Sequence, residues 1–415
     1  QTSRGCPFDC SFCQLGTTFV LTDKGALPIS EIVDHQRGRF VWTSQGPKQI
    51  LRRFRHEYDG ELVRVRTRGH LPVSCTPNHE FLTQRGWQRA DHLQTYDRIR
   101  LSVESEMRDV QTIDLLHVLS DVRLQIYGEA VQGLQEAEGG LVRWKSGKKR
   151  APRFLPLTPA FMRLVGLWLA EGSISYSKSR PNAGTLAWHF GPHERILAEE
   201  TVALLQQTLG ITPTLALTRT QRQLTAGHGI YARLFDALFG RGASNKRIPM
   251  EWVSLPDELL VPLMQGYLDG DGHWHHDPRQ GRKPGWTASS VSPSLMLQMQ
   301  LLAARLGIKS GVGKTGQRGD VGVIEGRQVT VRQAYQWRFT GKLERKGAPW
   351  EWAKVARVEW QRHIGHVYNL EVEGYPAYSA NGLETHNCSS ASIRERKWRA
   401  MSVDRVMDDL QKAIR

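Results

Sequence analysis

Hydrophobic and polar positions along this chain change period several times, and each change marks a boundary between elements. From Cys13 to about residue 105 the pattern predicts short strands. Apolar runs such as Phe40-Val41-Trp42-Thr43 and the alternation Glu61-Leu62-Val63-Arg64-Val65-Arg66 carry it, with Asp23-Lys24-Gly25 as a turn signal. Residues 106 to about 150 show some helical periodicity and then a basic run, Arg143 to Arg153, without an acid. That run is expected to be a linker in preference to an arm facing a polyanion. The middle of the chain holds a repeat: Leu164-Val165-Gly166-Leu167-Trp168-Leu169-Ala170-Glu171-Gly172 is echoed by Met264-Gln265-Gly266-Tyr267-Leu268-Asp269-Gly270-Asp271-Gly272. Each copy is followed by a helical pattern ending in Leu-Gly-Ile, at 209–211 and 306–308, with Gly suited to a helix C-terminus. The chain ends on an amphipathic helical pattern with Val403, Val406, Met407, Leu410 and Ile414 on one face.

Composition narrows the classes. A chain of 415 residues suits two to three domains, and it has no apolar run long enough to span a membrane. It begins with Gln1 and shows no signal-peptide pattern, and the expectation that it is cytoplasmic comes from its cysteines. Five cysteines, three of them closely spaced near the start, fit a reducing compartment better than a disulfide scaffold, with Cys75 read as a buried strand thiol. The net charge of +15 and the pI of about 9.8 point to a polyanion partner.

Candidate chemistry sits at both ends. In His386-Asn387-Cys388 the Asn side-chain amide can attack its own carbonyl and release residue 388. His386 can move the proton the leaving amine needs, and the Cys388 thiol can accept an acyl group. Upstream stand Cys13, followed by Gln-Leu-Gly-Thr-Thr-Phe-Val-Leu-Thr, and Thr76-Pro77-Asn78-His79; downstream stand His366 to Val372 and Tyr378-Ser379-Ala380-Asn381-Gly382. In this order, over Cys13 to Asn387, the blocks resemble an intein, a self-splicing insertion. The resemblance implies that Cys13 attacks the Phe12 carbonyl to form a thioester. Thr76 and His79 activate that amide, with Asn78 a candidate for orienting the carbonyl. Cys388 then captures the acyl group, and Asn387 cyclises with help from His386; no cofactor is implied. The family often carries an Asp and a His where this chain has Asn369 and Pro376 or Ala377, which leaves His363 or His366 as substitutes.

The repeated motif resembles that of a LAGLIDADG homing endonuclease. Gly166 and Gly266 would let two helices approach, bringing Glu171 and Asp271 together to share Mg²⁺, with Lys246 assisting. The implied partner is double-stranded DNA, cut at the homing site in the host gene by a monomeric endonuclease. Candidate DNA contacts are Lys178, Arg180, Arg219 and Arg222 in one half. In the other they are Arg279, Arg282, Lys283, Lys314, Arg318, Arg327, Arg332 and Arg338.

Removing residues 13–387 would join Phe12 to Cys388 and give Cys6, Cys10 and Cys388 the spacing C-x3-C-x2-C. That junction resembles the cluster loop of a radical S-adenosylmethionine enzyme, which implies a 4Fe-4S cluster on those three thiolates, with Phe12 near the S-adenosylmethionine. The flanks are too short for such an enzyme, so the chain reads as part of a longer precursor. The implied fold class is mixed: an all-β Hint/intein horseshoe interrupted by an α+β, pseudo-twofold endonuclease. The expected boundaries are 1–12 (N-terminal extein), 13–110 (splicing domain), 111–345 (linker and endonuclease), 346–387 (splicing domain) and 388–415 (C-terminal extein). A splicing-defective Hint-endonuclease, or a radical enzyme with an unusual insertion using Cys6, Cys10 and Cys13 directly, are the alternatives.

Overall fold

The computed structural model describes residues 12–387 except 105–109, 121, 123, 127–128, 132, 146, 178, 181–182, 277–282, 317–320, 325–326 and 331; within 123–132 and 317–331 it describes backbone alone. Cys6, Cys10 and Cys388, the terminal helical pattern, and Lys178, Arg279, Arg282 and Arg318 therefore lie outside the described residues, as does the Arg327 side chain.

A 12-stranded antiparallel sheet gathers the two ends of the described chain. Its spine is a pair of long strands, Gly46–Thr67 and Trp352–Val372, in continuous register from Arg52 opposite Glu371 to Arg66 opposite Arg357, with a register shift at each end of that span. Only the ends of these strands are buried, with Leu62, Val63 and Val65 inside, while the middle, from Leu51 to Gly60, alternates between exposed and half-buried positions. The chain leaves this sheet just after Arg100 and re-enters at Trp352, and those two residues are paired. The sheet closes on itself through Val20 and Ala380. At that seam Asn381 (φ 50°) and Gly382 (φ 84°) form the two-residue loop of a hairpin, Ala377–Ala380 with Leu383–His386, where positive φ is required at both positions.

Between Arg100 and Trp352 the chain builds two similar halves. The helix Pro159–Glu171 is capped by Thr158, whose side chain accepts from the Phe161 amide, and has Pro159 at its first turn. It leads into a four-stranded sheet whose strands occur in the order first, second, fourth, third, with the helix Arg195–Leu209 between the second and third strands in the chain. The helix Asp257–Asp271 leads into a sheet of the same strand order and the helix Pro293–Arg305. Gly210 (φ 63°) and Gly307 (φ 73°) adopt the left-handed conformation after the second helix of each half. The two motif helices pack at glycine: a Cβ on Gly166 would lie 2.1 Å from the Leu263 oxygen, and one on Gly266 would lie 2.6 Å from the Arg163 oxygen. Any side chain there forces the helices apart. Phe161, Trp168, Phe235, Phe239 and Trp252 fill the first half with edge and tilted ring contacts, centroids 5.1–6.4 Å apart.

One expectation is corrected. Residues 143–153 are not a linker: Leu141–Trp144 pairs with Leu134–Ala137 and with Arg150–Pro152 in a three-stranded sheet. Val142 and Trp144 point inward and Arg143 and Lys145 outward, a period of two hidden by the density of charge. Arg153 pairs with Asp114 and Glu136.

Candidate active sites

The short strand Gln14–Leu15 lies between Trp352–Val372 and Val73–Cys75 and carries Cys13 into the sheet. The Cys13 thiol is enclosed by Leu62 and Val367. Its amide donates to Thr76 Oγ1 (3.1 Å), and the Thr76 amide donates back to the Cys13 carbonyl (2.9 Å). His79 is wholly buried, and its amide closes a turn on the Thr76 carbonyl (3.0 Å). Burial first, then the neighbouring His386, hold its pKa down at about 3, against an opposing backbone interaction with Phe12, so the ring is neutral. Gln14 Nε2 lies 3.2 Å from His79 Nε2. His79 Nε2, Tyr378 Oη and Thr385 Oγ1 all lie within 3.2 Å of that one amide nitrogen, whose two hydrogens they share.

Asn369, in the long returning strand, donates through Nδ2 to the Phe12 carbonyl. Its orientation is imposed: Tyr378 Oη donates to Asn369 Oδ1 (2.8 Å), and Gln14 Nε2 donates in turn to Tyr378 Oη (3.2 Å). The bond after Phe12 thus has a donor on its carbonyl oxygen, Thr76 on its nitrogen and a buried thiol beside it. That is the layout for attack by sulfur on a polarised amide.

The other end of the chain lies against the same cluster. Thr385 Oγ1 accepts from Gln14 Nε2 (2.9 Å). His386 sits edge-on to Trp87, with centroids 4.9 Å apart, and 6.0 Å from the Phe12 ring. Its Nδ1 is 2.5 Å from the carbonyl oxygen of Asn387, the carbonyl that an Asn side chain would attack. Asn387 Nδ2 donates to the Tyr375 carbonyl (2.7 Å) and its backbone amide to the Pro376 carbonyl (2.8 Å). Backbone of the segment 375–376 therefore holds Asn387 where a side chain was sought.

Sequence reasoning placed some residues differently. Asn78 is half-buried and makes no hydrogen bond to Phe12; Asn369 occupies that position. His363 and His366 lie on the long returning strand, with His363 Nε2 3.4 Å from the His366 carbonyl and the His366 ring tilted against Tyr368, and neither hydrogen-bonds Asn387. Gln14, Tyr378 and Trp87 were missed. Their only local signal is polar or aromatic character at positions that alternation assigns to the inside. Cys75 is buried as expected, with its pKa pushed far up.

In the central region, Glu171 and Asp271 end the two packed helices. Neither helix has a basic residue in its last turn, so both carboxylates sit at the unfavourable, negative ends of their helix dipoles. Burial, with each other's company and that of Glu194, raises Glu171 to about 7; burial raises Asp271 to about 6, against the pull of Lys246 and a Tyr267 hydrogen bond. Lys246 donates to the Ala170 carbonyl (2.8 Å) at one helix end, with burial lowering its pKa to about 8. Its loop is pinned by Gln298, which accepts from the Ile248 amide (2.9 Å) and donates to the Ile248 carbonyl (2.6 Å). Two hard-oxygen ligands with their ionisation held back fit a divalent cation, although no cluster of three potential metal ligands exists among the described residues. Among the candidate DNA contacts, Arg180, Arg219, Lys283, Lys314, Arg332 and Arg338 are exposed, while Arg222 is half-buried and donates to the Pro192 carbonyl (2.8 Å).

The family model for the intein splicing domain matches residues 19–387. The chain belongs to that family. The intein is 26% identical, over 92% of its own length, to 36% of an ATP-dependent DNA helicase Hel308 from Thermococcus kodakarensis. It is 27% identical, over 61% of its length, to 30% of an iron-sulfur cluster assembly SufBD family protein from Mycobacterium tuberculosis. The chain spans half or less of the length of these curated relatives. Among solved structures, variants of the homing endonuclease I-DmoI align with 44% of the intein and 89% of that chain (11% identity, TM-score 0.32). A Ssp DnaB mini-intein variant aligns with 24% of the intein and 63% of that chain (21% identity, TM-score 0.19). Both likenesses are partial, and membership rests on the family match. Among the described residues no helix is long and apolar enough to cross a membrane.

Proposed function

We propose that the intein excises residues 13–387 from its precursor and joins the flanking segments, and that its central region cuts double-stranded DNA. The convergence of Cys13, Thr76, His79 and Asn369 on the bond after Phe12 carries the splicing reading. Cys13 sulfur attacks the Phe12 carbonyl carbon and Asn369 stabilises the developing oxyanion. The C–S bond forms, the C–N bond breaks, and the proton lost by the thiol is relayed by neutral His79, which takes one proton as it gives one, to the departing nitrogen. Cys388 takes the acyl group by transthioesterification. Asn387 Nδ2 then closes on its own carbonyl, polarised by His386, and the freed amine of Cys388 captures the acyl group by an S-to-N shift.

The pair Glu171 and Asp271 supports the nuclease reading. These two carboxylates would hold the divalent cation, which when bound supplies Lewis-acid activation of water and phosphate. Lys246 stands beside both acids and can stabilise the charge that develops on phosphate. Both carboxylates come from one chain, which fits action as a monomer on DNA bearing the uninterrupted host junction.

The host reading, a radical S-adenosylmethionine enzyme with its cluster on Cys6, Cys10 and Cys388, rests on the spliced sequence. The burial of Cys13 (2% exposed) disfavours the alternative in which that thiol serves a cluster directly.

Precursor expressed with both flanks should release the excised intein and a ligated host, resolved by denaturing gel and mass spectrometry. Cys13→Ala should abolish cleavage at Phe12, and Asn387→Ala should abolish release at residue 388. Products unchanged by either substitution would overturn the assignment, and an inert parent would favour a splicing-defective relative.

A further inference from the structure

Glu384 is a fully buried carboxylate two residues before His386, in a part of the sheet that the chemistry above does not use. Its Oε1 accepts from Ser44 Oγ (2.7 Å) and from the Tyr375 hydroxyl, and those two hydroxyls are themselves 2.8 Å apart. Arg100 Nε lies 3.6 Å from Oε2, close enough to balance the charge. The triangle therefore ties together the turn at Ser44, the strand end at Arg100 and the loop at Tyr375. Burying a carboxylate is costly unless it is paired and hydrogen-bonded, so a well-packed apolar residue would serve plain stability at least as well. What distinguishes this carboxylate is the other end of Tyr375. The carbonyl of that residue accepts from Asn387 Nδ2 at 2.7 Å, and the adjoining Pro376 carbonyl accepts from the Asn387 amide at 2.8 Å.

We propose that Glu384, through Ser44 and Tyr375, is a positioning residue for cyclisation of Asn387. It anchors the loop whose carbonyls aim Nδ2 at the Asn387 carbonyl carbon. In that step the Nδ2–C bond forms, the C–N bond to residue 388 breaks, and the proton lost by Nδ2 is matched by one gained on the leaving amine. No other group changes oxidation state or charge. Glu384 touches none of the reacting atoms, so its effect is geometric, and it acts on one junction only. Holding a nucleophile within about an ångström of its attack position is worth up to about 100-fold in rate.

This inference rests on the splicing reading, and two precursor backgrounds separate their failures. In Cys13→Ala precursor, only release at residue 388 is followed. In Asn387→Ala precursor, only thiol-induced cleavage after Phe12 is followed. Glu384→Ala and Tyr375→Phe should slow the first by about tenfold or more and change the second by less than about twofold. Glu384→Gln, which keeps the acceptor oxygen, should recover much of the rate. Equal losses at both junctions would assign Glu384 a merely structural role and overturn the proposal. So would parental rates of release at residue 388 in both variants. A parent silent in both backgrounds would instead sink the splicing reading itself.

Discussion

The two reactive centres of this intein are built on opposite electrostatic plans. Around Phe12 and Asn387 the reacting groups are neutral: a thiol, two amides, hydroxyls and an imidazole held uncharged at ordinary pH. Around Glu171 and Asp271 the groups are acids, raised to about 7 and about 6, with one lysine lowered to about 8. The first centre lies against the chain's own backbone, and most of its polar atoms are hydrogen-bonded within the fold, with Gln14 Oε1, His79 Nδ1 and Asn387 Oδ1 the exceptions among the described residues. The second holds two carboxylates whose ionisation burial opposes and Lys246 only partly restores. In the proposed reactions the first centre carries its substrate within the fold, in the bond after Phe12, whereas the second would take its substrate from outside the chain.

Several experiments can break or sharpen that contrast. The largest effect is expected at the acids. Glu171→Gln or Asp271→Asn should each stop Mg²⁺-dependent double-strand cleavage while gel-shift binding survives and splicing proceeds. Full cleavage by both variants would mean the acids are not the metal site. Binding by the parent should fall steeply with salt, because it would rest on phosphate contacts.

Asn369→Ala comes next. Removing one donor from a developing oxyanion costs about 100-fold. Thiol-induced cleavage after Phe12 should slow by that order, with release at residue 388 in a Cys13→Ala background much less affected. If Asn78→Ala produced that loss and Asn369→Ala did not, the carbonyl would have been given the wrong partner.

A smaller effect is expected in stability. The Glu171 carboxyl ionises at about 7 when folded and near 4.5 when unfolded, so the unfolded chain gives up its proton at lower pH. Stability of the metal-free intein should therefore decline as pH rises from about 4.5 to about 7 and level off above. Glu171→Gln should reduce that decline and raise the metal-free melting temperature at about pH 8 by a few degrees. Mg²⁺ should do the same for the parent only. Coincident pH profiles for parent and variant would show that the pair carries no stored charge.

The smallest effect is a flat profile. Since His79 ionises near 3, cleavage after Phe12 should show no inflection near the ordinary histidine value of 6.5 that His79→Gln removes.

Much of the central region was legible beforehand because its logic is local. Helical period, a glycine at the contact and an acid at the helix end all lie within nine residues, twice over, and the close approach at Gly166 follows from them. The basic segment 143–153 was misjudged because five exposed cations masked a two-residue period that Val142 and Trp144 carried alone.

By itself the sequence determined which bonds could break. The proposed nucleophiles Cys13 and Asn387 are adjacent to the bonds they would act on, whereas Cys388 must be brought across 375 positions to the acyl group on Cys13, a meeting that only folding can arrange. Only the tertiary structure decided what surrounds those bonds. Asn369 reaches Phe12 across 357 positions, Gln14 reaches Thr385 across 371, and Glu384 reaches Ser44 across 340. Strand partners are chosen by burial of alternate faces and by register over the whole sheet, and neither is encoded in any single stretch of the chain.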